Sequence, residues 1–558
     1  MNFNKFTLEQ VISTMYPAQK EAFLECLHGE GDILITSMGG GGKSYIIDAL
    51  RHFAGDCTVV TGTTGVSAVN VSGSTAHSVL SLPLGMPTKQ SNAKTSKKYK
   101  SLFRRGHPVR NVIIDEWSFT GPHTFDAELQ RLKRISRSSK HKKCRLIVFG
   151  DFAQILNVVK GQERKLVKEH YGTTTLLDSK IFRDHKFKVF ELNENKRTGD
   201  KELQYMLDCM RLGENLDEVV TYFNKCVDVP DPSAVYLCTT NSEVDRINKE
   251  AFNKNTNDPM CYHATTRGTF KVGDTLLEAE LVLKEGLRVM SLVNQQTEGD
   301  DVPQFVNGSC GAVVSLLSDQ VLVSFDNGET VWISMTKQEN IEYFTDDNGE
   351  LNSKVIGVFE NIGLRQCDAI TLNKAQGLSL DKANIDFGEN GCFTYGQAYV
   401  GCSRLTNIEG LTLIRPLFKS DIKVNRHVKA FYKKLRGEED NTFKLIVAGG
   451  RDFSDYNLLC HRLDNLLRAK DPKDIIIVSG GAQGADKLGE RYAAERGLRA
   501  EVYEAEWDRF GKRAGYLRNS QMADNADGLV AFWNGSAGTK HMIDIATEQG
   551  LVVRKVSY

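Results

Sequence analysis

The chain contains no run approaching the roughly 20 consecutive apolar residues of a membrane span, which argues against a membrane function. Its first residues, MNFNKFTLEQ, lack the basic start and apolar core of a secretory signal, so the expected compartment is the cytoplasm. The 12 cysteines include no CxxC pair and the 12 histidines do not cluster with them. Neither a zinc site nor a disulfide framework is signalled, and reduced, mostly buried thiols are expected. Net charge is also absent. Lys plus Arg and Asp plus Glu each number 71, so a nucleic-acid surface would have to be a local basic patch. What remains is a soluble globular composition, 41% apolar, on 558 residues, too long for one core and suited to three or four domains.

The most informative stretch is Ser37 to Ser44, SMGGGGKS, between the apolar run DILIT and a helix-like continuation from Tyr45. This is the pattern of a phosphate-binding loop. Gly39, Gly40, Gly41 and Gly42 allow backbone N–H groups to turn around a triphosphate, Lys43 supplies a cation for its outer oxygens, and the Ser44 hydroxyl suits Mg²⁺. Ser37 stands where the strict pattern has glycine, and a small residue still permits the turn. One helix earlier, after Pro17, Gln19 has an amide able to read the adenine edge, although a surface residue of that helix would look the same.

After the loop, Cys57 to Thr61 reads as a strand, followed by GTTGVSAVN and STAHS. Thr63, Thr64, Asn70 and His77 are candidates for a sugar-phosphate backbone, because hydroxyl and N–H groups bind phosphates without reading sequence. Turn chemistry alone accounts for the same residues. From Leu80 to Pro108 the pattern becomes aperiodic and basic, with Lys94, Lys97, Lys98, Lys100, Arg104 and Arg105, either a nucleic-acid contact or a solvated face. Arg110 to Glu116 then predicts a buried strand ending in Asp115, placed to hold Mg²⁺, and Glu116, placed to activate water. The next strand ends in GDFAQ, where the Gln154 amide can register a γ-phosphate. Three strands with these groups at their carboxyl ends describe a nucleotide-binding parallel sheet.

A second α/β half follows, with NKR at Asn195 to Arg197 and a strand at Val235 to Thr239. Between Lys284 and Ser334 short strands alternate with turns, and Asn307-Gly308 and Asn327-Gly328 suit tight hairpins, so a small antiparallel barrel is expected at about 284–336. The α/β pattern resumes with LNKAQGLSLD, containing Lys374, Gln376 and Gly377, and with GQAYVGCSR, ending in Arg404.

In order, SMGGGGKS, TGTTGVSAVN with STAHS, IIDE, GDFAQ, NKR, NGSCG, LNKAQGLSLD and GQAYVGCSRLTNIEGL resemble superfamily 1 DNA helicases of the RecD/Dda and PIF type, over about residues 10–430. The resemblance implies two RecA-like domains, 1–190 with a wedge insertion at about 80–108 and 191–432 with a Src-homology-3-like barrel, and ATP with Mg²⁺ between them. By motif, Gln19 contacts adenine, and Lys43, Ser44, Gln376 and Gly377 belong to the nucleotide. Asp115 and Ser44 hold the metal, Glu116 activates water, and Gln154, Arg197 and Arg404 surround the γ-phosphate. Single-stranded DNA would cross Thr64, His77, Lys374 and the barrel, and movement would run 5′ to 3′ on forked duplexes. Replication or recombination proteins are further expected partners.

A charged linker, 433–442, precedes a new α/β unit. Two strands run into glycine turns, at Gly449-Gly450-Arg451 and Ser479-Gly480-Gly481, an arrangement that places N–H groups against phosphate or ribose. GGRDF, SGGAQGAD, GYLRNSQM and NGSAGTKHM resemble the SLOG superfamily in its YspA-like branch. That implies a Rossmann-like domain at 443–558 binding a nucleotide derivative, with Arg518 and Asn519 near the sugar-phosphate and Gly538 and Thr539 at the phosphate. His541 stands where related phosphoribohydrolases carry Glu, so binding rather than hydrolysis is expected. The competing readings are a P-loop ATPase that remodels RNA or protein without unwinding DNA, and a defence-related nucleotide sensor.

Overall fold

A computed structural model describes residues 3 and 5–558 except 65–66, 69–70, 72–73, 84, 88–93, 142, 156–158, 160, 195–198, 271–274, 276, 294, 296–303, 306, 346–350 and 439–440; at 56, 161–162, 341–345 and 351–354 it describes the backbone alone. Two compact units divide the chain, Met1–Asp421 and Ile422–Tyr558.

The first unit opens with a parallel sheet of β1 (Ile33–Ser37), β2 (Thr58–Gly62), β3 (Ser74–Thr75), β4 (Asn111–Asp115), β5 (Arg145–Gly150) and β6 (Lys188–Leu192), in the order β3-β2-β4-β5-β1-β6. Strands covered on both faces need apolar residues at every position rather than at alternate ones, and β1, β4 and β5 are buried throughout. On one face Ile33, Ile35, Ile113, Ile147 and Phe149 pack against Phe23 of helix Pro17–His28 and Ile46, Ile47 and Leu50 of helix Lys43–Ala54. Each such side chain contributes about 1.5–3 kcal/mol on burial, enough to hold the strand ends in fixed register.

Strand β7 (Val235–Cys238) begins a second parallel sheet, from which the chain departs into β8 (Met260–His263), β9 (Thr265–Gly268), β10 (Glu280–Leu283), β11 (Arg288–Ser291), β12 (Cys310–Leu316), β13 (Gln320–Phe325), β14 (Thr330–Thr345), β15 (Leu351–Ile362) and β16 (Leu364–Gln366). It returns as β17 (Ala369–Thr371), β18 (Ala383–Asp386) and β19 (Leu411–Leu413), giving the order β17-β7-β18-β19. The insertion differs from the expected barrel at 284–336. Its strands span 260–366, and β16-β11-β12-β13-β14-β15-β9 is a seven-stranded antiparallel sheet with no closing ladder among the described residues. A separate β10-β8 pair covers one side of it through Tyr262, Leu281 and Leu283. The Asn327-Gly328 turn joins β13 to β14 as expected, with Gly328 at φ 91°, a left-handed conformation suited to glycine. Asn307-Gly308 does not make a tight hairpin, because β11 and β12 pair across the longer connection 292–309.

The second unit is a parallel sheet of β20 (Phe443–Gly449), β21 (Ile475–Ser479), β22 (Arg499–Val502), β23 (Gly528–Phe532) and β24 (Val552–Val556), ordered β22-β21-β20-β23-β24. Alternation is strict. Leu445, Val447, Ile475, Ile477, Val530 and Phe532 face helices Tyr456–Leu467 and Ala485–Glu495, whereas Ile446, Ala448, Ile476, Val478, Leu529 and Ala531 face Ala514–Asp524 and Ala537–Glu548. The unit starts earlier than the expected boundary. Helix Arg426–Leu435 runs into the predicted linker, and Arg426 donates to the carbonyls of Ala526 at 2.6 Å and Gln549 at 3.2 Å.

Candidate nucleotide and nucleic-acid sites

The phosphate loop follows β1. Gly40 (φ 90°) and Gly42 (φ 81°) take left-handed conformations that only glycine adopts readily, and a Cβ at Gly41 would meet the Ser37 side chain at 2.8 Å. Lys43 begins the following helix and donates to Ser37 Oγ at 3.2 Å, while Ser44 is exposed. Gln19 is buried, and its amide donates to the Gly41 carbonyl at 3.2 Å. Tyr16 donates to the same carbonyl at 2.6 Å. The expected adenine reader therefore braces the loop here, with its own Oε1 buried and left over.

Asp115 closes β4, and Glu116 follows in a left-handed conformation, φ 51° and ψ 37°, unusual for a residue other than glycine and of the kind that collects at working sites. Burial and the neighbouring Glu116 push the Asp115 carboxyl up to about 7, against the pull of Lys43. Gln154, after β5, donates to Asp151 Oδ2 at 3.2 Å. Asp115 Oδ1, Glu116 Oε2, Gln154 Oε1 and both amide atoms of Gln376 are buried without a hydrogen-bond partner among the described residues. Buried polar atoms are normally paired, so this concentration at strand ends fits a polar ligand with a cation. Gly377 beside Gln376 is left-handed, φ 87°.

Helix Gln397–Cys402 of the second half lies directly on this region. Its N-cap, Gly396, has φ 78°, and a Cβ there would meet Ala153 O at 2.6 Å and Gln154 C at 2.8 Å. Two residues beyond that helix, Arg404 is 1% exposed and donates to the carbonyls of Val400 (2.9 Å) and Leu378 (3.2 Å) and to Ser403 Oγ (2.8 Å). Its guanidinium is thus turned onto its own half. Arg197 and Asn70 lie outside the described residues.

Of the backbone-binding candidates, Thr63 and Thr64 follow β2 and His77 follows its parallel neighbour β3, so the three share one sheet edge. Thr63 is engaged with the Asp115 carbonyl, and Thr64 forms a closed turn with Ser67, accepting from its amide at 3.1 Å. Burial and the nearby His123 lower the His77 pKa. Lys374, in helix Leu372–Ala375, is exposed. The basic insertion is only partly a solvated face: Lys98, in helix Lys97–Leu102, is buried with its ammonium on Ser74 Oγ at 3.2 Å.

In the second unit the glycine turns meet at the carboxyl ends of β20 and β21, but their amides are already used. Gly480 N–H donates to Asp486 Oδ2 at 3.1 Å, Gly450 N–H to the Phe532 carbonyl at 3.1 Å and Gly481 N–H to Ser479 Oγ at 3.0 Å. The backbone amides of Gly449 and Ala482 lie near enough to Asp486 to lower its pKa. Burial raises its carboxyl to about 6, with Arg518 and those amides pulling the other way. Arg518 donates to the Gly480 carbonyl and, at 3.2 Å, to Asn519 Oδ1. Asn519 donates to the Gly538 carbonyl at 3.2 Å, and Ser536 Oγ to Thr539 Oγ1 at 2.8 Å, leaving helix Ala537–Glu548 without a side-chain cap. Arg451 is exposed beside the first turn. The predicted residues come together, yet the free donors are at Arg518 and the Ala537–Glu548 helix start rather than at the glycine amides.

A family model described as PIF1-like helicase matches residues 17–210, and one described as YspA, cpYpsA-related SLOG family matches residues 443–510. The ATP-dependent DNA helicase Pif1 of Bdellovibrio bacteriovorus is 29% identical over 438 residues, covering 75% of this chain and 92% of that protein. Pif1 from Bacteroides sp in complex with ADP-AlF4 superposes with a TM-score of 0.68 at 26% identity, over 76% of this chain and 97% of that one. The chain carries a PIF1-like helicase domain and a carboxyl-terminal SLOG-family domain. Bacteroides Pif1 bound to ssDNA is also similar, with a TM-score of 0.55 at 26% identity over 76% of this chain and 97% of that one.

Sequence reasoning missed several groups of the PIF1-like half. Tyr16 was passed over because a tyrosine before a helix reads as packing. Asp151 was read only as part of GDFAQ, and it is the hub of a buried network. Its Oδ1 accepts from Ala153 N at 3.1 Å and from Arg211 Nε at 3.3 Å, and Arg211 reaches Glu191 at 3.1 Å and Asp208 at 3.3 Å. Tyr399 joins the same hub, as its place inside QAYVGCSR could have suggested.

Proposed function

We propose that the chain is an ATP-dependent DNA helicase that moves 5′ to 3′ on single-stranded DNA and opens forked duplexes, with a second unit that binds a nucleotide derivative. The observation that carries the motor reading is the set of unpartnered buried oxygens of Asp115, Glu116 and Gln154 beside the glycine loop. Ser44 and Asp115 would hold Mg²⁺, which when bound offsets phosphate charge. Lys43 and the glycine loop from Gly39 to Gly42 hold the phosphates, through the loop amides left free by Tyr399 and Met38. Glu116 takes the proton of the attacking water, and Gln154 registers the γ-phosphate. Arg404, together with Arg197, completes the site by swinging from its present carbonyl partners as the two halves close, a contribution of about 10³ to 10⁵ in rate for such fingers. Thr64, His77 and Lys374 face the strand, and the insertion at 80–108 separates the duplex.

Strand displacement from labelled partial duplexes tests this. Unwinding that requires ATP and a 5′ tail is expected, with binding that weakens steeply in salt. Hydrolysis without displacement would favour remodelling of another substrate, and displacement from a 3′ tail would reject the polarity.

In the second unit, Arg518 and the open start of helix Ala537–Glu548 suit an anionic group. His541 is lowered by burial and so is neutral near pH 7, with no carboxylate in its place. Binding that modulates the motor is expected, and thermal shifts of the full chain with a panel of nucleotides and ADP-ribose, compared with Arg518→Ala, check it.

A further inference from the structure

Tyr399 is 2% exposed and belongs to the second half, yet both hydrogen bonds of its hydroxyl are to the first. It accepts from Gly39 N–H in the phosphate loop at 3.0 Å and donates to Asp151 Oδ2 at 3.1 Å. Asp151 Oδ2 is also the acceptor for the Gln154 amide, so one oxygen serves Tyr399 and the expected γ-phosphate sensor together. One turn earlier, Gly396 sits so close to Ala153 and Gln154 that no side chain fits. Through Asp151 the network continues to Arg211, fixed by Glu191 on β6 and by Asp208. Burial and the Asp151 carboxylate raise the Tyr399 pKa far above its ordinary value, so the hydroxyl keeps its proton and can both donate and accept.

We propose that Tyr399 is a positioning residue of the ATPase: its hydroxyl registers the Gln397–Cys402 helix, which leads into Arg404, against the phosphate loop and the Gln154 turn. Three elements needed for hydrolysis are then joined through the Tyr399 hydroxyl and Asp151 Oδ2. A shift of the helix that leads into Arg404 pulls on Gly39 and redistributes the bonds of Asp151, reorienting Gln154 in the same movement. Nucleotide arriving at the loop acts back on Arg404 by the same route. The role lies in turnover rather than in nucleotide affinity, because Lys43 and the loop amides other than that of Gly39 hold the phosphates without the phenol. The inference rests on the ATPase reading above.

Tyr399→Phe in the full chain removes both bonds and keeps the ring. DNA-stimulated kcat is expected to fall about tenfold, equal to about 1.4 kcal/mol of barrier, with KM for ATP and the affinity for a fluorescent ADP nearly unchanged. The melting temperature should stay close to that of the wild type. A wild-type protein without ATPase activity would sink the underlying reading instead. With an active wild type, a variant within twofold of its kcat overturns the positioning role. So does a variant that loses melting temperature, KM and kcat together, since that is the mark of a packing residue.

Discussion

Thr63 donates to the carbonyl of Asp115 twice, through its amide at 3.0 Å and its hydroxyl at 2.9 Å. The end of β2, where a DNA backbone is expected, is thereby bonded to the residue expected to hold the metal at the end of β4. If DNA binds this edge as proposed, contact there would reach the acid through the Thr63 amide without an intervening side chain.

Thr63→Val keeps the shape and the amide bond and removes the hydroxyl bond, worth about 1 kcal/mol. We expect the stimulation of ATP turnover by single-stranded DNA to drop several-fold while basal turnover changes little. Equal loss of both rates would show that Thr63 serves the fold and not the coupling.

Lys43→Ala should abolish ATP hydrolysis, because the loop loses its cation and Ser37 keeps only its bond to the Met38 carbonyl. Glu116→Gln should retain nucleotide binding and lose turnover by at least about 10², the usual scale for a general base. Fluorescent-nucleotide titration beside a phosphate-release assay separates the two, and a parallel loss of affinity in Glu116→Gln would reassign that residue to binding.

Glu128, on helix Pro122–Ser138, is buried and accepts from Trp117 Nε1 at 2.9 Å. Burial pushes its carboxyl up to about 8 from an ordinary 4.5. The folded form binds the proton more tightly than the unfolded one, so this group's contribution to stability is full below the ordinary pKa and declines as pH rises toward 8. Glu128→Gln keeps an acceptor for the indole and removes the titration. Melting curves should show the variant gaining on the wild type between pH 5 and pH 8 and matching it near pH 4.5; a constant gap would refute the assignment.

Because Arg426 fastens its helix to the carbonyls of Ala526 and Gln549, a fragment starting at Ile422 should fold alone and melt several degrees above one starting at Thr442. Equal melting temperatures would place the boundary where composition alone puts it.

Composition and motif order made the three parallel sheets legible, because strands covered on both faces are written as unbroken apolar runs such as those of β1, β5 and β21. Phosphate-loop geometry was equally legible, since glycine at 40 and 42 has few other uses. Less could be read where a residue's task depends on a distant partner. Gln19 matches a nucleotide-contacting position but bonds the loop. The end of the motor unit escaped because Arg426 bonds residues a hundred positions away. Charged residues of the 433–442 stretch look like a linker whether or not a helix runs into them. The long β14–β15 pair was missed because a tight turn marks where a hairpin starts and carries no information about how far its strands continue.

In the second unit, Asp486 accepts the Gly480 amide and Ser479 Oγ accepts that of Gly481, so the second glycine turn is bonded in place. Glycine-rich turns are ordinarily the loosest parts of a chain, and ordering each residue upon binding would consume about 1–2 kcal/mol of configurational freedom. Here that ordering is completed during folding. A ligand bound here as proposed would meet turns already ordered, and its affinity would be diminished chiefly by its own loss of freedom.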